Sequence, residues 1–266
     1  MRAGDACYDD AVRGTSSGSP PGTGRPLSSA IMVLTLHHLN ASRSQRILWL
    51  LEELEVPYEI KKYERQATQQ APQTLKDVHP LGKSPIITDD DITLAESGAI
   101  VEYLIRKYGE GKITPPTTGK ALADELYYVH VAEGSLMPPV VNQYIGTLVP
   151  QQTPFFIRPL ASMIFSKVND MLYEPTIKQL VTLIDEHLSK NEWFAGGKTP
   201  SAADFIMIFP LETLPRFDQS TPTIAAYVKR VQQRPAYRRG IERGGAYPYD
   251  YEAKASDAAN ESRAAL

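Results

Sequence analysis

The stretch LTLHHLNASRSQRILWLLEEL, residues 34–54, passes from a β-favouring run through a short polar loop into a run where Ile47, Leu48, Leu50, Leu51 and Leu54 recur at helical spacing. Pro57 ends that helix, and YEIKKYE, residues 58–64, reads as a second strand. Strand, helix and strand make a βαβ unit, whose parallel strands need the helix as a crossover. The first strand is expected over Ile31 to Leu36. Downstream, SPIITDDDITLAES (84–97) reads as two short strands joined at Asp89, Asp90 and Asp91. SGAIVEYLIRKYG then sets Ile100, Val101, Leu104, Ile105 and Tyr108 on one helical face and stops at Gly109. The order β-α-β, β-β-α predicts a compact α/β domain over 31–109.

The Gly- and Pro-rich segment 110–118 reads as a linker. Beyond it helical periodicity dominates. A long helix is expected near 119–145, bent at Pro138-Pro139, then a pair over roughly 155–190 and shorter helices after 201 and 221. The fold class is α/β followed by an all-helical domain, 119–250. RGTSSGSPPGTGRPLSSA dominates the head, 1–30, which has almost no large apolar side chains and is expected to stay unordered. The tail, 251–266, is small and polar and is expected to fray.

With 266 residues, 42% hydrophobic and 22% charged, the chain can bury a sizeable core. Its net charge of −3, with both signs interspersed, carries no footprint for nucleic acid or an anionic membrane surface. No apolar run is long enough to span a bilayer, and the single cysteine, Cys7, allows neither an internal disulfide nor a cysteine metal site. His37 and His38 are adjacent in a strand and point to opposite faces, while His79, His130 and His187 are scattered. No metal site is expected. These features point to a cytoplasmic protein with small-molecule partners.

Three places hold residues suited to chemistry. Glu96-Ser97 lies where the hairpin meets the next helix; Ser97 either caps that helix or joins its N–H groups in holding a carboxylate, with Glu96 taking an ammonium. Pro85 opens a strand, where X–Pro statistics favour trans. Ser42-Arg43-Ser44-Gln45 fits an S-x-x-Q capping box, and Ser201 with Asp204 fits another, assigned to folding.

With these residues in view, SRSQRILWLLEEL, HPLGKSPII and LAESGAIVEYL at their mutual spacing resemble the cytosolic glutathione transferases, over about residues 32–245. HVAEGSLMPP, residues 130–139, is similar to a fungal and bacterial subgroup. The resemblance implies a thioredoxin-like first domain, an all-helical second domain, a homodimer, and a cis bond before Pro85. It implies that glutathione is the co-substrate, with the Ser84 backbone pairing its cysteinyl part, Glu96 and Ser97 its γ-glutamyl end, and Lys83 its glycyl carboxylate. It further implies that the long helix, with Tyr127, Tyr128, Met137 and Tyr144, faces a hydrophobic electrophile in the manner of a detoxification enzyme. Between Met32 and Leu54 there is no Tyr or Cys, which removes the tyrosine and cysteine types and leaves a serine. Four residues before Arg46, Ser42 best matches the family's serine, with Asn40 and Ser44 as alternatives. A glutathione-binding carrier and a glutathione-dependent peroxidase of organic hydroperoxides are the rival functions.

Overall fold

The computed structural model describes residues 33–250 apart from 67 and 69; the head, Cys7 and the tail lie outside the described residues. Strands β1 (Thr35–Leu39), β2 (Glu59–Tyr63), β3 (Ile86–Asp89) and β4 (Ile92–Ala95) form one sheet in the order β2-β1-β3-β4. β1 pairs parallel with β2, with Leu36 opposite Ile60, and antiparallel with β3, with Leu36 opposite Ile87. This mixed sheet is the thioredoxin-like arrangement. β1 therefore begins four residues later than expected and carries both histidines. Its buried residues Leu36 and Leu39 must reach the core beside β2 and β3, so neighbouring strands set its register.

Helix α1 (Gln45–Leu54) crosses from β1 to β2 and is buried almost throughout, Ile47, Leu48, Trp49, Leu50 and Leu51 all fully. It shares one apolar core with Leu36 and Ile87 of the sheet and packs against α3 (Ser97–Tyr108) and against the helical region. There α10 (Pro235–Gly244) comes so near that a Cβ on Gly240 would stand 3.3 Å from the Trp49 nitrogen. Glu52 closes this contact, accepting from Tyr58 Oη at 2.7 Å, Arg239 Nε at 2.8 Å and Arg243 Nη1 at 2.9 Å. A short helix not expected from sequence, α2 (Gln73–Lys76), precedes β3.

The helical region runs α4 (Gly119–Val131), α5 (Met137–Gln152), α6 (Arg158–Val168), α7 (Glu174–Leu188), α8 (Ala202–Thr213), α9 (Pro222–Gln232) and α10. The expected bend at Pro138-Pro139 falls one turn earlier, as a π-helical turn over Ala132–Leu136. Neither proline can donate to the carbonyl four residues back, and the preceding turn widens to absorb the lost ladder. The Ser201–Asp204 capping box is present, and Asp204 also accepts from Phe194 N–H and Tyr227 Oη, fixing buried α8 in place. Among the described residues no helix is long and apolar enough to cross a membrane.

Candidate active site

The end of β1, the loop before β3, the β4–α3 junction and one wall of helices surround a cleft of about 680 Å³. The chain leaves β1 through Asn40, whose N–H donates to Tyr63 O at 3.1 Å and whose Oδ1 accepts from Arg65 N–H at 3.0 Å. That side chain ties β1 to β2 and does not line the cleft. Ala41, at φ 47°, takes the left-handed turn that follows, and Ser42 comes next on the cleft wall.

The capping-box reading of Ser42 is corrected here. α1 starts at Gln45 and Ser44 stands in the cap position without a side-chain cap bond, so Gln45 opens the helix instead of sitting three residues past the cap. Arg43 and Ser44, which the box would need in the first helical turn, lie before the helix. The Ser42 hydroxyl instead belongs to a chain of polar groups. It accepts from Ser44 N–H at 3.2 Å, lies 2.7 Å from Ser44 Oγ, and donates to Ser84 Oγ at 3.3 Å. Ser44 Oγ lies 2.8 Å from His38 Nδ1. His38 is neutral at pH 7: burial, then the charge of Lys62 across the strands, lowers its pKa to about 4. On the other sheet face His37 meets Tyr63 Oη at 2.8 Å, and burial with Lys61 likewise lowers it to about 4.

Ser84–Pro85 is cis, as the family resemblance implied and statistics alone did not. Ser84 Oγ donates to His37 O at 3.0 Å and accepts from Leu39 N–H at 3.2 Å, binding the loop to β1. Gly82, at φ 56°, turns the loop into Lys83, and its Cα faces the Lys76 stem so closely that a Cβ would lie 2.6 Å from that Cγ. At the other end Glu96 has a positive φ, 72°, with ψ 121°, and occupies the cap position of α3. Ser97 is thus the first helical residue, and its reading as the helix cap is also corrected. Its Oγ accepts from Arg46 Nη2 at 2.9 Å.

Arg46 is fully buried and also donates to Ile206 O at 2.8 Å and to Glu133, which accepts from Arg43 at 3.3 Å. One guanidinium thus joins α1, α3, α8 and the π turn behind the cleft. Among the described residues no three His, Cys, Asp or Glu side chains are grouped so as to hold a metal ion.

The family model described as glutathione S-transferase, N-terminal domain, matches residues 32–106. Glutathione S-transferase 3 of Schizosaccharomyces pombe is 37% identical over 214 residues, which cover 79% of this chain and 88% of that protein. The chain belongs to the glutathione S-transferase family. It is a glutathione transferase.

Solved structures agree. A glutathione S-transferase from Actinobacillus pleuropneumoniae is similar with a TM-score of 0.64 and 28% identity, over 82% of this chain and 96% of that one. A glutathione transferase homolog from Lodderomyces elongisporus, solved with two GSH per subunit, shares the fold with a TM-score of 0.63 and 19% identity, over 79% of this chain and 98% of that one.

In this transferase Ser42, Lys83, Ser84, Pro85, Glu96 and Ser97 all line the one cleft, with Met137 and Tyr144 on the helical wall. Tyr127 and Tyr128 do not, which corrects their expected place beside the second substrate. Tyr128 is buried, with ring centroids 4.5 Å from both His187 and Phe194, and Tyr127 lies outside it on the surface. The π turn separates α4, packed on α8, from α5, which borders the cleft. Ser44, fully buried behind Ser42, does not line the cleft either. Lys76, Phe209, Arg216 and Tyr249 line it without having been singled out in sequence. Phe209 reads there as one more apolar residue of α8, and the other three have no local motif.

Proposed function

We propose that the Ser42 hydroxyl holds the sulfur of bound glutathione as a thiolate, which attacks a hydrophobic electrophile lying against α5 and α8. The single observation carrying this reading is the Ser42 hydroxyl on the cleft wall, whose oxygen already accepts Ser44 N–H and whose own proton goes to Ser84 Oγ. That proton is now spent on a long 3.3 Å bond to Ser84, which is cheap to redirect. The imidazole proton on His38 Nδ1 makes the whole chain consistent, His38 donating to Ser44 and Ser44 to Ser42.

Around this donor, Glu96 takes the ammonium of the γ-glutamyl end and Ser97, with the first N–H groups of α3, its carboxylate. The Ser84 backbone beside cis Pro85 pairs the cysteinyl part, and Lys83 faces the glycyl carboxylate. A thiol of reference pKa near 8.5 is mostly protonated at neutral pH, and a donor to the charged form lowers that value. Bond formation then follows from holding thiolate and electrophile together. In this reading residues 31–109 bind glutathione and 119–250 supply the electrophile's wall.

Ser42→Ala tests it. A charge-assisted hydrogen bond of about 1.5–3 kcal/mol corresponds to about 1–2 pKa units. The pH titration of thiolate absorbance in the glutathione complex is expected to move up by that amount, and the rate at neutral pH to fall about ten- to hundredfold. An unmoved midpoint sinks the serine assignment. We also propose a homodimer, supported by apolar side chains exposed on and before α6, among them Phe155, Phe156, Leu160 and Met163. A monomeric mass by light scattering at micromolar concentration refutes it.

A further inference from the structure

We infer that the electrophile this cleft selects carries an anionic group, a carboxylate or its equivalent, on an apolar body, and that Arg216 receives it. The inference rests on the division of the cleft proposed above and concerns its helical wall.

Charge on the cleft is lopsided. Arg43, Arg65, Lys76, Lys83 and Arg216 line it against a single acid, Glu96. Glutathione brings two carboxylates and one ammonium, which Glu96, the α3 terminus with Ser97, and Lys83 with neighbouring Lys76 can match at one end. Arg43 is paired with Glu133 at 3.3 Å, and Arg65 is engaged in an interaction of its own. Arg216 remains, on the opposite wall, where Phe209, Phe217, Met137 and Val140 are otherwise apolar.

No carboxylate among the described residues pairs with Arg216, and the side chain is held by aromatics instead. Its Cζ stands 4.5 Å from the Tyr144 ring centroid, and its charge and a hydrogen bond act on Tyr249, opposing the rise that burial imposes on that phenol. A guanidinium has five donors, so one that rests on an aromatic face and bonds Tyr249 keeps others for a carboxylate and loses little side-chain freedom on binding one. The wall thus offers apolar area for a substrate body and one oriented cation for its charged end.

The test compares 1-chloro-2,4-dinitrobenzene with 4-chloro-3,5-dinitrobenzoate at saturating glutathione. Each reaction forms a C–S bond and breaks a C–Cl bond, chloride leaving and the thiol proton passing to solvent. The reading is the ratio of kcat/KM, carboxylate over uncharged. Arg216→Gln is expected to lower that ratio about tenfold, the change lying in KM for the benzoate, because an exposed charged contact is at the weak end of its range. Arg216→Lys should restore part of it, and 0.5 M KCl should shrink the wild-type ratio. A ratio unmoved by Arg216→Gln, whether both substrates keep their kcat/KM or both lose alike, overturns the inference. Ser42→Ala run alongside separates the two readings. It should lower kcat on both electrophiles and keep the ratio; an unaffected Ser42→Ala beside a shifted Arg216→Gln ratio sinks the serine assignment alone.

Discussion

Glu212→Gln should flatten part of the pH dependence of stability, and the structure says how much. Glu212 on α8 is fully buried, accepting from Tyr237 Oη and Gln232 Nε2 on Oε1 and from Tyr247 Oη on Oε2. Gln232 also donates to Tyr249 O at 2.9 Å, so this carboxyl anchors the segment that carries Tyr249 into the cleft. Burial, with a smaller contribution from Asp250, outweighs the three donors and lifts the Glu212 pKa from 4.5 to about 7. The folded state therefore keeps a proton that the unfolded chain releases. Stability from this group is present in full below pH 4.5 and is lost as pH rises through about 7. The gap corresponds to on the order of 3 kcal/mol. His37 and His38 act oppositely. Their pKa values fall from 6.5 to about 4, so their contribution is present above pH 6.5 and is lost as pH falls through 4.

The overlap makes the wild-type curve alone uninformative, so the difference between wild type and Glu212→Gln is the measurement. Glutamine keeps an acceptor for Tyr237 and Gln232 and meets Tyr247 as a donor, which adds an offset without pH dependence. Urea unfolding at pH 5 and pH 8 should show the wild type losing about 2.5 kcal/mol more than the variant between those values, equivalent to about 5–10 °C in Tm. Parallel curves would mean that the three donors keep Glu212 ionised throughout, and the assignment of burial as the winning effect would be wrong.

Two further changes probe the cleft's edges. Ser97→Ala removes an acceptor from buried Arg46, not a helix cap, and is expected to cost about 1–3 kcal/mol and to raise KM for glutathione more than it lowers kcat; an unchanged KM would remove Ser97 from the glutathione site. Gly82→Ala puts a Cβ at φ 56° against the Lys76 stem, so a loss of about 1–2 kcal/mol and a raised KM for glutathione are expected, and wild-type values on both counts would show that this loop relaxes freely.

The alternation of strand and helix from residue 34 to 109, the helical run beyond it, and the Ser201–Asp204 box were all legible in sequence. Each rests on side-chain period or on a cap within four residues, and local chemistry decides such features. The resemblance, carried by three short segments, supplied the cis bond and the glutathione contacts proposed for one end of the cleft. Other questions were open until the chain was folded. Asn40, Ser42 and Ser44 are equivalent small polar residues in one loop, and only the left-handed turn at Ala41 and the position of β2 send Asn40 to Arg65, Ser44 to His38 and Ser42 to the cleft. Ser97 looked like a cap because a helix follows it, yet the backbone at Glu96 took the cap position and left Ser97 to Arg46. Tyr127 and Tyr128 share a helical stretch with Met137 and Tyr144, but a π turn between them, forced by two prolines, rotates one half toward the core and the other toward the cleft. Arg216 meets Tyr144 across more than 70 residues of chain and Tyr249 lines the same cleft more than 100 residues on, about 20 helical turns or more at 3.6 residues per turn. No period or motif spans such a distance; only burial of the α8 and α10 faces brings them to one wall.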